Sequence, residues 1–189
     1  VSDLTLTPAP ALGGYRERFE GVQLEELPNL AIVSIATPRG GEAEFAAAIE
    51  KAFGVAAPKP GHSSLSKDGR TRLVGMAPDQ TFAVFTHDGP DARQVIDGAL
   101  DGAGYTTDQT DVWVSLRIDG PRAHTALERI CPIDLHPDAF PEGRAARTVM
   151  EHLGTIVLRD GADSFLLLSA HSSAESFLHA VETSIRNVT

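Results

Sequence analysis

The sequence predicts an α+β fold in which a βαββα unit is written twice, with antiparallel sheets that carry their helices packed on one face. Three observations point there. Short apolar or alternating runs recur at strand length, and amphipathic helical spacing appears between them. The order strand, helix, long loop, hairpin, helix also occurs once in residues 30–110 and again in residues 111–189. Residue identity between the halves is slight, so the repeat is one of element order.

Residues 1–29 carry little periodicity and read as an N-terminal arm. Thr7-Pro8-Ala9-Pro10 and Gly13-Gly14 suit extended chain, and residues 22–27 can add a short strand. The first unit opens with the apolar run 30–36, stopped by Pro38 and Gly40-Gly41. Phe45, Ile49 and Phe53 then line one helical face, with Gly54 at the expected C-cap. A loop of about 17 residues, 54–70, is longer than the roughly 12–15 residues beyond which unstructured loops are usually functional or disordered. Residues 71–77 and 81–86 form a hairpin across Pro78-Asp79-Gln80. Pro90 suits the first position of a second helix carrying Ala92, Val95, Ile96, Ala99 and Leu100.

The second unit repeats the order. Residues 111–118 alternate, with Val112, Val114, Leu116 and Ile118 on one face and Trp113, Ser115 and Arg117 on the other. Asp119-Gly120-Pro121 starts a helix that turns Ala123, Leu127 and Ile130 inward. A proline-containing loop, 131–146, leads to a hairpin of strands 149–159 and 164–169 across Asp160-Gly161. Ser172-Ser173-Ala174-Glu175 has the pattern of a capping box ahead of a helix burying Phe177, Leu178, Val181 and Ile185. Each unit, completed by a strand from elsewhere, matches a split βαβ or ferredoxin-like arrangement. Strand 111–118 is placed to complete the first unit while opening the second, so that the two share a core.

Composition excludes several functions. The 189 residues include 16 basic and 26 acidic ones, a formal charge of −10, which disfavours a nucleic-acid partner because phosphate binding needs clustered Lys and Arg. Lys51, Lys59 and Lys67 are the only lysines, and the arginines are scattered singly. No apolar run reaches the roughly 20 residues of a membrane span. The single cysteine, Cys131, excludes an internal disulfide, and Val1-Ser2-Asp3-Leu4-Thr5 lacks a leader's basic and apolar regions, so a cytoplasmic location is expected.

Motifs for dinucleotide, nucleoside-triphosphate, hydrolase-elbow and common zinc chemistry are missing from the sequence. Asp134-Leu135-His136-Pro137-Asp138 is the tightest polar cluster. A metal could be ligated there, but the favoured reading is a proline-rigidified loop whose Asp134 and His136 bond backbone groups. Cys131 reads as a buried, unreactive thiol, and His171 beside Ser172 and Ser173 as a helix start without catalysis. For Trp113 two readings stand: a covered core position, or part of a partner surface, where Trp and Arg are enriched. Phe140, in the second long loop, would be costly to leave in water. No catalytic, cofactor-binding or metal residue is assigned.

The segment Pro132-Ile133-Asp134-Leu135-His136-Pro137 within residues 127–143, with Thr148, His152 and the run 164–168 beyond it, resembles the gamma subunit family of heterotetrameric sarcosine oxidase. Gly75-Met76-Ala77-Pro78-Asp79-Gln80-Thr81-Phe82 is similar to a hairpin shared by that family and aminomethyltransferase-like, folate-dependent proteins, with Gln80 and Thr81 where Glu and Trp are commoner. The resemblance implies a subunit without a cofactor of its own that packs on the large alpha subunit, beside beta and delta. Flavins, nicotinamide nucleotide, folate and zinc would then lie in those partners, in a complex that demethylates sarcosine to glycine with tetrahydrofolate and oxygen. The expected partner-interface residues are Trp113, Arg117, Asp134, His136, Pro137, Phe140 and Pro141. The alternatives are a free-standing folate-binding aminomethyltransferase-like protein and a small ligand-sensing ferredoxin-like module.

Overall fold

The computed structural model describes residues 9–189; the start of the predicted arm, including Thr7 and Pro8, and the leader reading lie outside the described residues. Eleven strands and four α-helices follow in chain order: β1 (Arg16–Phe19), β2 (Val22–Glu26), β3 (Leu30–Ala36), α1 (Glu42–Phe53), β4 (Ser63–Leu65), β5 (Thr71–Ala77), β6 (Gln80–Thr86), α2 (Ala92–Leu100), β7 (Tyr105–Asp108), β8 (Trp113–Asp119), α3 (Ala123–Glu128), β9 (Ala145–Met150), β10 (Leu153–Gly161), β11 (Ser164–Ala170) and α4 (Ala174–Arg186). They build a first sheet of order β4-β5-β6-β3-β7 and a second of order β1-β2-β8-β11-β10-β9. All the pairings are antiparallel.

The sheets face each other, and each carries its helices on its outer side. Phe45, Ile49 and Phe53 of α1 and Ile96 and Leu100 of α2 pack on Val33, Ile35, Leu73 and Phe85. Leu127 of α3 and Phe177, Val181 and Ile185 of α4 pack on Leu116, Ile118, Phe165 and Leu167. Between the sheets, Ile32, Val74, Phe82 and Val84 meet Ile156, Leu158, Leu166 and Leu168. Central strands are therefore buried on both faces, which is why β3 and β11 are nearly continuous apolar runs. Each fully buried Phe, Ile or Val contributes about 1.5–3 kcal/mol of burial.

Several expectations are corrected. Strand β8 lies wholly in the second sheet, between β2 and β11, and does not complete the first. The first sheet takes β7 instead, whose Tyr-Thr-Thr-Asp sequence carries no apolar alternation because it is a largely exposed edge. The supposed arm contains a hairpin, β1–β2, that extends the second sheet. The single strand expected over 149–159 is two strands, β9 and β10, turning at Glu151-His152. Both residues have positive φ, 48° and 69°, and neither is the Gly or Asn that such a turn normally advertises. The β10–β11 turn falls after Gly161, with a bulge between Arg159 and Gly161. Strand β4 occupies part of the first long loop. Helix α2 starts at Ala92 with Asp91 as N-cap, so Pro90 precedes the helix. Ser173 makes no side-chain cap, and a 3₁₀ turn, His171–Ser173, replaces the capping box.

The loop before β4 crosses β5 at Gly75, where the Gly75 amide donates to the His62 carbonyl and the Gly61 amide to the Gly75 carbonyl, both at 2.9 Å. A Cβ on Gly75 would stand 2.3 Å from the Lys59 carbonyl oxygen, a backbone atom that cannot swing aside. We therefore expect Gly75→Ala to lower unfolding free energy by about 1–3 kcal/mol in urea titrations. Gly154→Ala, in β10 where an added Cβ would point into open space, should be neutral or slightly stabilising in the same measurement.

Candidate partner interface

The loop that follows α3 is built from turns and anchored from below. Asp134 Oδ1 accepts the His136 amide at 2.9 Å, and the His136 carbonyl accepts the amides of Ala139 at 2.9 Å and Phe140 at 2.8 Å. The Asp138 amide donates to His136 Nδ1 at 3.3 Å. These bonds match the backbone-bonding reading of Asp134 and His136. Leu135 and Phe140 point inward and join the core of the second sheet with Cys131. Pro132, Asp134, His136, Pro137, Asp138 and Pro141 remain exposed.

Beneath the loop lies Arg159, only 3% exposed. Its guanidinium donates to the Leu135 carbonyl at 2.7 Å and the Ala162 carbonyl at 2.8 Å, and stacks 4.6 Å from the Phe165 ring centroid. Arginine cannot shed its proton in a protein, so these carbonyls and the ring face must replace its lost hydration. The far end of the loop is tied as well: the Gly143 amide donates to the Arg159 carbonyl at 2.8 Å, and the Ser63 amide to the Gly143 carbonyl at 2.6 Å. Arg144 Nη1 reaches His62 Nε2 at 2.8 Å beside an antiparallel bridge between these two residues, which joins the edges of the two sheets.

The predicted interface residues thus divide. Asp134, His136, Pro137 and Pro141 share one exposed loop. Phe140 is 3% exposed and is core, so its expected part as a surface anchor is corrected. Trp113 is half-buried at one end of the inter-sheet core, its ring centroid 6.3 Å from that of Phe82. Its Nε1 is enclosed with no partner among the described residues. The face that Trp113 shares with Arg117 is covered by the other sheet and not by helices. At the opposite end of β8, Arg117 donates to Asp160 Oδ2 at 3.0 Å, next to Arg159 at the root of the loop.

Two open clefts lie on the described surface. One, of about 400 Å³, lies between the end of α3, α4 and the β9–β10 turn, with Arg129, Glu151, His179 and Asn187 among its walls. The other, of about 170 Å³, opens at the end of the sandwich, where Arg70, Arg72, Arg117 and Asp160 surround a floor that includes Leu158 and Leu166. Arg70 and Arg72 escaped sequence reasoning because they sit in and beside a hairpin far from Arg117 in the chain. Among the described residues no three His, Cys, Asp or Glu side chains gather as a metal site would require. Of Gln80 and Thr81, the departures from the hairpin pattern, Gln80 is half-buried, its Nε2 donating to Ser34 Oγ at 3.0 Å, and Thr81 is buried.

Replacing Arg159 by Met keeps volume but strands two carbonyls. Arg159→Met should cost about 2–4 kcal/mol in urea unfolding and make residues 132–142 the first site cut by a broad-specificity protease. Burial pushes the Cys131 thiol up, against smaller opposing hydrogen bonds from the Ile133 amide and the Thr148 hydroxyl. Because the folded state holds that proton more tightly than the unfolded chain, stability should decline as pH rises past the ordinary thiol value of about 8.5. The decline should be smaller in Cys131→Ala, measured by melting temperature from pH 7 to 10, and the native thiol should label slowly until urea is added.

No family model matches the sequence. The chain is 30% identical over 160 residues to sarcosine oxidase subunit gamma of Corynebacterium sp. (strain P-1), spanning 84% of this chain and 77% of that one. Identity is 28% over 134 residues to the strain U-96 subunit gamma and 29% over 135 residues to the Arthrobacter sp. one. This chain spans 65% and 66% of their lengths, just under two thirds. Among solved structures, it aligns with a chain of heterotetrameric sarcosine oxidase from Corynebacterium sp. U-96 in complex with pyrrole 2-carboxylate. The TM-score is 0.74 at 26% identity, covering 88% of this chain and 84% of that one. Glycine cleavage system aminomethyltransferase T from Bartonella henselae shares the fold alone, with TM-score 0.66 at 15% identity over 85% of this chain and 45% of that one. With 30% identity across 77% of a subunit gamma and a matching fold, the chain belongs to the sarcosine oxidase gamma subunit family.

Proposed function

We propose that the protein serves as the gamma subunit of a heterotetrameric sarcosine oxidase, as a packing subunit on the large alpha chain that contributes no catalytic residue. The observation that carries this reading is the agreement in both sequence and fold with gamma subunits over most of the chain. The local structure supports it physically. A loop held by a buried guanidinium is presented in one conformation, so little ordering entropy remains to be lost when a partner covers it. In this reading sarcosine is demethylated to glycine in the assembly, with flavins, nicotinamide nucleotide, folate and zinc held by the alpha, beta and delta subunits. The described residues include no helix long and apolar enough to cross a membrane.

Folate binding by the isolated chain is the second reading, favoured by the shared fold with aminomethyltransferase T. It is weakened because this chain matches only 45% of that protein. Co-expression with alpha, beta and delta chains separates the two. The subunit reading expects one size-exclusion peak containing all four chains and a less heat-stable oxidase when this chain is omitted. Elution of this chain as a free monomer beside the others, together with micromolar tetrahydrofolate binding by calorimetry, would replace it with the folate-binding reading.

A further inference from the structure

We propose that the arginine-rimmed cleft at the end of the sandwich receives a carboxylate-bearing, otherwise apolar segment of a larger subunit of the assembly. The inference rests on the subunit reading above and names a surface and a partner chemistry that the reading does not contain.

Charge comes first. Arg70, Arg72 and Arg117 converge on one cleft in a chain whose net charge is −10. Of the three, Arg117 alone is ion-paired among the described residues, to Asp160 at 3.0 Å. Arg72 Nη1 donates to Ser63 Oγ at 3.1 Å, a neutral partner that positions the guanidinium without cancelling its charge. Asp68 stands near Arg70, but its Oδ1 already accepts the Ser66 hydroxyl at 2.6 Å and the Arg70 amide at 3.1 Å. Three cations against two committed carboxylates leave a local positive excess, and guanidinium is the side chain best shaped to take a carboxylate in a two-pronged contact.

Shape and polarity then choose the occupant. The cleft holds about 170 Å³, below the roughly 300 Å³ at which pockets for free small molecules usually begin. That room suits one or two side chains of a protein segment. Leu65, 47% exposed, and the partly exposed Leu30 supply the accessible apolar surface of the cleft, over a floor of the buried Val84, Leu158 and Leu166. An Asp or Glu next to a Leu, Val or Phe on the partner would bury apolar surface against these residues while its carboxylate meets Arg70 and Arg72.

The test is co-purification of the full four-chain assembly through a tag on the alpha chain. It compares wild type with Arg70→Glu/Arg72→Glu and with Leu65→Arg, which keeps the arginines and obstructs the mouth; melting curves of the isolated chains establish folding. The proposal expects retention of this chain to fall by about tenfold or more in either folded variant. It also expects wild-type retention to weaken as sodium chloride rises from about 0.05 M to about 0.5 M. Failure of the wild-type chain to co-purify at low salt overturns the subunit reading and this inference with it. Retention of the folded variants at the wild-type level overturns the inference alone. Benzoate binding that the double variant loses while assembly is unchanged would likewise overturn it, in favour of a free small carboxylate.

Discussion

The presentation of the exposed loop depends on one buried cation. Arg159 joins four parts of the second half: strand β10 through its backbone, the loop through the Leu135 carbonyl, the β10–β11 turn through the Ala162 carbonyl, and β11 through the Phe165 ring. A guanidinium out of water is stable only where donors meet acceptors at good geometry, and no carboxylate supplies the balance here among the described residues. Arg159 Nε is already enclosed without a partner among the described residues, so moving either carbonyl would leave a further charged donor unpaired, which couples the conformations of loop and turn. Leu135 and Phe140 add an apolar reason for the same placement. Two independent forces, one polar and one hydrophobic, hold the segment whose other residues face solvent.

The face-to-face sandwich imposes the second constraint. Because both sheets bury their inner faces, an aromatic on the inner face of β8 is spent on the chain's own core, which is the case for Trp113 against Phe82. What is left for partners must lie at strand ends, loops and edges. The edges are not equivalent. Strands β4 and β9 are stitched near His62 and Arg144, whereas β1 and β7 are short and rich in charged or polar side chains, with Tyr105 of β7 70% exposed. Short polar edges discourage uncontrolled strand addition. The exposed loop above Arg159 and the cleft at the end of the sandwich are the surfaces where burial and charge are instead left unfinished.

Legibility followed from where apolar surface is buried. Helix α1 with its Gly54 cap, the central strand β3 and the Phe177, Val181, Ile185 stripe were readable because each repeats apolar residues at the period of its element. Strands β4 and β7 were invisible because edge strands need no apolar alternation. The β9–β10 turn was missed because Glu151 and His152 adopt left-handed conformations without the residues that usually pay no cost there. On β8 the alternation located the faces of residues 113–118, although Val112, expected on the inner-packed apolar face, lies in a preceding 3₁₀ turn and is exposed. It could not tell a second sheet from a helix layer or from a partner. Asp134 and His136 were legible as backbone-bonding groups in the sequence; the guanidinium beneath them was not, since nothing local links residue 159 to residue 135.

Arginine usage unites these points. In sequence the thirteen arginines stand apart beside three lysines and suggest no site. In the fold several of them are staples between distant segments. Arg122 donates to the Val188 carbonyl at 2.7 Å and to Glu20 at 3.3 Å, tying α3 to both the first hairpin and the C-terminal end. Arg186 lies 5.0 Å from the Phe19 ring centroid and reaches Glu17 at 3.2 Å. A planar group with five donors can make several such contacts at once, which a lysine ammonium cannot do with fixed direction. Net charge therefore describes the long-range field of this molecule, which is acidic. Local positive charge at its surface is set by the few places where guanidiniums converge without equal neutralisation, and the cleft of Arg70, Arg72 and Arg117 is one of them among the described residues.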